Sequence, residues 1–161
     1  MTRRKGPRTV DDVETLVTLA ELVDVVYYKV AGERLTTDVE PEGVADEATE
    51  PQQSVQIMLR VGAEALETRV LARLVTGDGR YEVDVGARYT LAEPLELSEE
   101  AQHDFVTRVG IMAIYPYVRE ALYSAATKLR LSPPVLGLIQ AGKVQLDDHP
   151  RHELPAIEVA T

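Results

Sequence analysis

From position 80 to position 91 the chain reads RYEVDVGARYTL, and that stretch limits the fold more than any other. Tyr81, Val83, Val85, Ala87, Tyr89 and Leu91 alternate with Arg80, Glu82, Asp84, Gly86, Arg88 and Thr90. Period-two alternation over this length places one set of side chains in a core and the other on a charged face, which requires a β-strand in a sheet covered on one side. Two neighbouring stretches show the same pattern. In residues 54–61, Val55, Ile57, Leu59 and Val61 share a side against Ser54, Gln56, Met58 and Arg60. In residues 66–75, Leu66, Thr68, Val70, Ala72 and Leu74 lie opposite Glu67, Arg69 and Arg73. Residues 62–64 and Gly77-Asp78-Gly79 read as tight turns, so three antiparallel strands form a meander.

A fourth strand is expected earlier, in residues 22–30 (LVDVVYYKV), where β-branched and aromatic residues dominate. Before it, Val10, Val13, Leu16, Val17 and Ala20 follow helical spacing behind Thr9 and two aspartates, which predicts a short amphipathic helix. Residues 38–53 hold six carboxylates, two prolines and no basic residue, and read as a solvated connection.

From Ser98 the period changes. Ser98 is an N-cap candidate, with Glu99 and Glu100 in the first turn where the helix dipole favours them. Phe105, Val109, Met112, Leu122, Ala125 and Leu129 continue at helical spacing. Pro116 lies inside that run, lacks the amide proton for the Met112 carbonyl, and predicts a break or kink. The helix is expected to end before Ser132-Pro133-Pro134, with a further helical turn in residues 135–139. The predicted fold is therefore α+β, a four-stranded antiparallel, meander-like sheet followed by a long kinked helix and a short second helix. Residues 1–9 form a basic head, 10–142 the domain and 143–161 a loose tail.

Charge excludes one function class. Four of the 17 basic residues, Arg3, Arg4, Lys5 and Arg8, sit in the head, leaving thirteen against 27 acidic residues, a net of −14 for the body of a chain whose total is −10. Such a surface repels nucleic-acid phosphates. The absence of cysteine excludes disulfides, thiolate catalysis and Cys-ligated metals, and it fits a reducing compartment. No run approaches the roughly 18 apolar residues of a membrane helix. A soluble, cytoplasmic protein is expected.

No catalytic constellation stands out. His149 and His152, beside Asp147, Asp148 and Glu153, superficially resemble a metal cluster, but a proline-bearing tail does not hold ligands in fixed geometry. His103 has no partner near it in sequence, and no serine sits in a nucleophile elbow. The most distinctive segment is residues 111–120, IMAIYPYVRE, flanked by small residues, Ala113, Ala121, Ala125 and Ala126.

Residues 112–120, MAIYPYVRE, running into a helix and then LRLSPPVLGLI, resemble the signature of SecB and SecB-like chaperones. The matching residues are Tyr115, Pro116, Tyr117, Arg119 and Glu120, then Leu131 and Pro134. The order of elements agrees as well, and the resemblance covers roughly residues 22–139. It implies a homotetramer, a dimer of dimers with long helices between sheets. It further implies an ATP-independent holdase for unfolded polypeptide, without cofactor or catalysis. By the same resemblance the client groove falls on Leu35, Val55, Ile57 and Leu59 with Leu136, Leu138 and Ile139, and the oligomer helix carries Tyr115 and Ala125. Export members dock the SecA motor through acidic residues on the outer sheet face. Asp78 matches such a position in the turn, whereas Val30 stands where an aspartate is expected, and Gly32 and Arg34 depart too. A short acidic crossover and a longer N-terminal extension suit the SecB-like branch, some of whose members protect antitoxins. Two other readings compete with the holdase. One is a small-ligand-binding or enzymatic α+β domain, which needs convergent polar groups on the inner sheet face. The other is a purely structural assembly subunit.

Overall fold

The computed structural model describes residues 6–36 and 52–136. The three alternating stretches are strands β3 (Gln52–Val61), β4 (Ala65–Val75) and β5 (Gly79–Leu91), joined as the expected antiparallel meander. The first turn closes through the Gly62 amide on the Ala65 carbonyl, and the second through the Thr76 amide on the Gly79 carbonyl, each at 2.8 Å. Gly79 is required by space, because a Cβ there would lie 2.8 Å from the Tyr81 ring and 2.9 Å from Leu131.

The fourth strand departs from simple meander order. β2 (Ala20–Arg34) lies against β5, giving the order β2-β5-β4-β3. This is the Greek-key arrangement, with the long connection spanning residues 35–51. β2 is longer than expected at both ends. The strand breaks its ladder with bulges between Leu22 and Asp24 and between Tyr27 and Lys29. Each bulge places two successive side chains on one face, which is why LVDVVYYKV shows no clean alternation.

The N-terminal segment differs from expectation. Val10 is not on a helix but in strand β1 (Arg8–Val10), which begins within the stretch read as a loose head and pairs in parallel with β6 (Leu95–Leu97). Helix α1 (Val13–Leu19) follows, capped by Asp12, one of the two aspartates expected at its start. The Asp12 carboxylate accepts from the Thr15 amide at 2.7 Å and its hydroxyl at 2.9 Å, and this holds the carboxyl below its usual range. Val13 and Leu16 are buried, Val17 is exposed, and Ala20 belongs to β2.

Ser98 caps the long helix as expected, its hydroxyl accepting from the Ala101 amide at 3.1 Å. Helix α2 (Glu99–Phe105) passes through a π-helical segment (Val106–Gly110) into α3 (Ile111–Lys128). The π segment adds a residue to one turn and rotates everything beyond it. Regular spacing put Phe105, Val109 and Met112 on the core face. The buried series is instead Phe105, Val106, Gly110, Ile111, Ile114 and Val118, and Met112 is 70% exposed. Gly110 permits the closest approach, since a Cβ there would run into the Thr68 side chain.

Of the break or kink expected at Pro116, there is no break: α3 runs through the proline. Both Met112 and Pro116 face solvent, so water can take the carbonyl that the proline leaves unbonded. The helix ends in a Schellman motif. Arg130 adopts φ 56°, its amide reaches the Thr127 carbonyl and the Leu131 amide the Ala126 carbonyl, both at 3.0 Å. Arg34, at the end of β2, donates to the Leu129 and Arg130 carbonyls at 2.9 and 3.1 Å, tying sheet to helix end. Of the final apolar run, Val135 is exposed and Leu136 buried in a non-helical segment. Residues 137–139 lie outside the described residues.

The core lies between the helix and the inner sheet face. Tyr89 is buried there edge-on to Phe105 at 5.1 Å, and its hydroxyl has no hydrogen-bond partner. A buried hydroxyl left unpaired costs about 1–3 kcal/mol. Tyr89→Phe keeps the ring contact and removes that cost, so urea denaturation should show a gain of about 1 kcal/mol.

Candidate client groove and assembly faces

The outer face of the sheet is polar and self-neutralised. Cross-strand register aligns Arg60, Glu67, Arg88 and Asp24 in one row of alternating charge. Glu67 is fully buried, although it lies on the face expected to be wet. The cause is the second β2 bulge, which throws Tyr28 across the outer face so that its hydroxyl donates to Glu67. Gly86 makes room, since a Cβ there would meet the Tyr28 ring at 2.9 Å. Arg60 and Arg88 approach the Glu67 carboxylate at 3.6 and 3.7 Å, and Arg88 donates to the Tyr28 hydroxyl at 3.0 Å. Burial and the bond to Glu67 push the Tyr28 phenol up, which keeps it a donor. The Arg69 guanidinium stacks 3.8 Å from the Tyr28 ring centre and forks onto Asp84 at 2.6 and 2.5 Å. Glu82 sits between Lys29 at 2.7 Å and Arg73 at 2.9 Å, which holds its carboxyl low. A face so occupied with paired charge offers little apolar area to an unfolded chain.

The inner face has an uncovered margin. The helix packs over β2, β5 and β4. On β4 the whole inward row is buried, whereas on β3 only Ile57 is, at 2% exposure, and Val55, Leu59 and Val61 are half-buried. Leu136 belongs to the same apolar cluster as Ile57, with Val55 and Leu59 packed against that cluster. These four expected groove residues thus belong to, or pack against, the one main core, and the contact that fixes Leu136 is the bond from Tyr115 to its carbonyl. Leu35 is half-buried beside the β4–β5 turn, its amide on the Asp78 carbonyl at 2.9 Å, and is not part of that cluster. Leu138 and Ile139 lie outside the described residues.

The signature residues have separate tasks. Tyr115 donates its hydroxyl to the Leu136 carbonyl at 3.0 Å and so anchors the segment after the helix, while Arg119 lies 5.9 Å from the Tyr115 ring centre. Burial raises the Tyr115 phenol. Tyr27, inward-facing on β2, lies near Tyr117 and Glu120; burial and the Glu120 carboxylate push its phenol up. Pro116, Tyr117, Arg119 and Glu120 are exposed. Ala125 lies inside the protomer, where a Cβ on Gly32 would touch it at 3.4 Å.

Exposed apolar side chains not apparent from the sequence fall in separate places: Leu22, Tyr27 and Val30 lie on the inward row of β2, with Tyr117 near Tyr27, while Met112 and Tyr123, eleven positions apart, share another side of α3. A signal was present in β2, whose apolar residues occupy both parities. Val30 pairs with Val83 and so faces inward, away from the outer-face position where an aspartate was expected. Asp78 is exposed and accepts from the Thr76 hydroxyl at 2.9 Å.

Among the described residues there is no cluster of three or more His, Cys, Asp or Glu side chains fit to hold a metal, and His149 and His152 lie outside them. His103 is exposed on α2. A shallow cleft of about 380 Å³ lies between α1 and the π segment, lined by Val13, Glu14, Val17, Arg108 and Val109. Its two charged groups, Glu14 and Arg108, pair with each other at 3.5 Å rather than converging on the cleft. Among the described residues no helix is long and apolar enough to cross a membrane.

No family model matches the sequence. The chain is 35% identical over 148 residues to the SecB-like chaperone SmegB of Mycolicibacterium smegmatis, a match spanning 92% of this chain and 94% of the relative. In fold it is similar to the Mycobacterium tuberculosis Rv1957 SecB-like chaperone, solved in complex with a ChAD peptide from the Rv1956 HigA1 antitoxin. The TM-score is 0.60 and the identity 17%, covering 80% of this chain and 93% of that one. With the signature helix, the Greek-key sheet and this identity over nearly its full length, the chain belongs to the SecB-like chaperone family.

Proposed function

We propose that the chain is a holdase that binds non-native polypeptide reversibly along the uncovered margin of β3, without ATP, cofactor or chemistry. The observation that carries this reading is the half-buried row Val55, Leu59 and Val61 on the strand beyond those the helix packs over. Apolar area left open along a strand suits a binder with little side-chain specificity. The acidic exterior keeps such a surface soluble, and the working compartment is the cytoplasm.

The client class favoured is an antitoxin rather than a secreted protein. The tuberculosis relative is described as holding an antitoxin peptide. By the family resemblance, docking to SecA calls for acidic groups in the β4–β5 turn and on the first long strand; the turn offers the exposed Asp78, but the strand position holds Val30, which faces inward. The assembly is a homotetramer, built through the exposed side of α3 that carries Met112 and Tyr123 and not through the buried Ala125.

Two measurements test these statements. A chemically denatured, aggregation-prone protein diluted into buffer should scatter less light when this chain is present near one tetramer per client, with no nucleotide added. Unchanged scattering would remove the holdase reading. The double variant Met112→Glu, Tyr123→Glu, both at exposed positions, should halve the mass measured by light scattering after size exclusion. An unchanged mass would place the interface elsewhere.

A further inference from the structure

The solvent side of α3 carries four different groups in a row. Met112, Pro116, Arg119 and Tyr123 are all exposed, and helical geometry sets them within about 60° of one another along about 16 Å of the helix. Met112 and Tyr123, at the ends of the row, are 70% and 60% exposed. Pro116 has no amide proton to give, so the Met112 carbonyl lacks its helical partner and points along the row toward position 116. The row therefore reads thioether, bare carbonyl, guanidinium, phenol ring.

Turned end over end, this row complements itself. A two-fold axis between Pro116 and Arg119 would set Met112 against the partner's Tyr123 and the bare Met112 carbonyl against the partner's Arg119, with both contacts repeated by symmetry. Sulfur against an aromatic ring is favourable, and a guanidinium there replaces water on the carbonyl with a charge-assisted bond. The sulfur is also the reactive atom of that contact. The chain has three methionines and no cysteine to meet an oxidant first. Met58 is half-buried on the outer sheet face opposite Arg69, so among the described residues Met112 is the open thioether.

Building on the assembly through this side of α3, we propose that Met112 is a reversible oxidation site through which peroxide opens the assembly. Hydrogen peroxide gives one oxygen to the sulfur: the O–O bond breaks, an S–O bond forms, the thioether becomes a sulfoxide and the peroxide is reduced to water. The product is polar, and its oxygen is a hydrogen-bond acceptor. Closing the interface over it would press that acceptor against an aromatic ring, beside the second acceptor that Pro116 already leaves on Met112. Symmetry doubles the cost, because each two-fold contact holds two such sulfurs. The closed interface also shields the thioether, so oxidation runs through the dissociated form and slows as the chain becomes more concentrated.

The test treats the full chain with hydrogen peroxide and reads mass by light scattering after size exclusion, with sulfoxide located by peptide mass spectrometry. As Met112 oxidises, the mass should fall by half and the dissociation constant of the assembly should rise at least tenfold. Methionine sulfoxide reductases with dithiothreitol should restore both. Oxidation of Met112 should slow at least threefold when the protein concentration is raised through the assembly midpoint, with the rate at Met58 unchanged. Met112→Leu should assemble like the parent and keep its mass in peroxide, while Met112→Gln, polar and of similar length, should show the lower mass with no oxidant added. Complete oxidation of Met112 in an assembly of unchanged mass would overturn the switch and leave the assembly reading standing, as would an equal loss of mass by Met112→Leu. A parent chain that is not a tetramer before peroxide is added would overturn both readings together.

Discussion

Glu67→Ala is expected to destabilise the chain by about 3 kcal/mol, at the low end of the range for removing one partner from a buried charge cluster. Glu67 is fully buried, and it is the acceptor for Tyr28 and the anion facing Arg60 and Arg88. Without it the Tyr28 hydroxyl loses its acceptor, and two like-charged guanidiniums face one another beneath the ring. The low end applies because the Arg60 and Arg88 side chains are 33% and 30% exposed and can turn toward water. Glu67→Gln keeps an acceptor of nearly the same shape and should cost about half as much. At a fixed protomer concentration, which matters for an assembly, the alanine loss corresponds to a fall in Tm of roughly 6–12 °C. If both variants melt within a degree of the parent, the cluster orders side chains without stabilising the fold.

That cluster also marks where the sequence stopped being legible. Alternation in β3, β4 and β5 correctly divided inward from outward residues, because side-chain direction in a regular strand depends on parity alone. Parity does not say what will close over an outward residue. Glu67 became buried because a bulge in another strand, 39 positions earlier, turned Tyr28 onto it. Bulges leave no reliable local mark, and here the only trace was an apolar stretch with no period.

The long helix shows the same limit in another form. Its start at Ser98 follows from capping chemistry, which is local, and was readable. Its buried face was readable at Phe105 and again at Leu122 and Ala125, but not between them, where the π segment brings Gly110 against Thr68 across the core and Met112 turns outward. A regular helix gives no warning of a turn that tertiary contact inserts. The signature residues were recognisable as a group, yet their division of labour was not. Tyr115 holds Leu136, while Tyr117 and Glu120 face Tyr27, and only the folded chain brings those partners within reach.

Client capture should respond most to Leu59→Asp, with affinity for an unfolded client falling at least tenfold and the melting temperature little changed. The choice of position follows from burial. Ile57, the most evident groove residue in the sequence, is 2% exposed and belongs to the core, so a carboxylate there would go into the apolar cluster without a partner. Ile57→Asp would therefore lower stability by several kcal/mol, and a loss of binding would say nothing about the groove. Leu59 lies two residues on, on the same inward row, half-buried where the helix no longer covers the strand. Its Cβ faces the open margin, so an aspartate can keep its carboxylate in water and still place a charge in the path of an apolar guest. Binding measured on a reduced, carboxymethylated client, together with a urea midpoint for the same preparation, separates the two effects. A Leu59→Asp chain that retains both its midpoint and its affinity would show that clients use another surface. The exposed pair Tyr27 and Tyr117 would be the next surface to test.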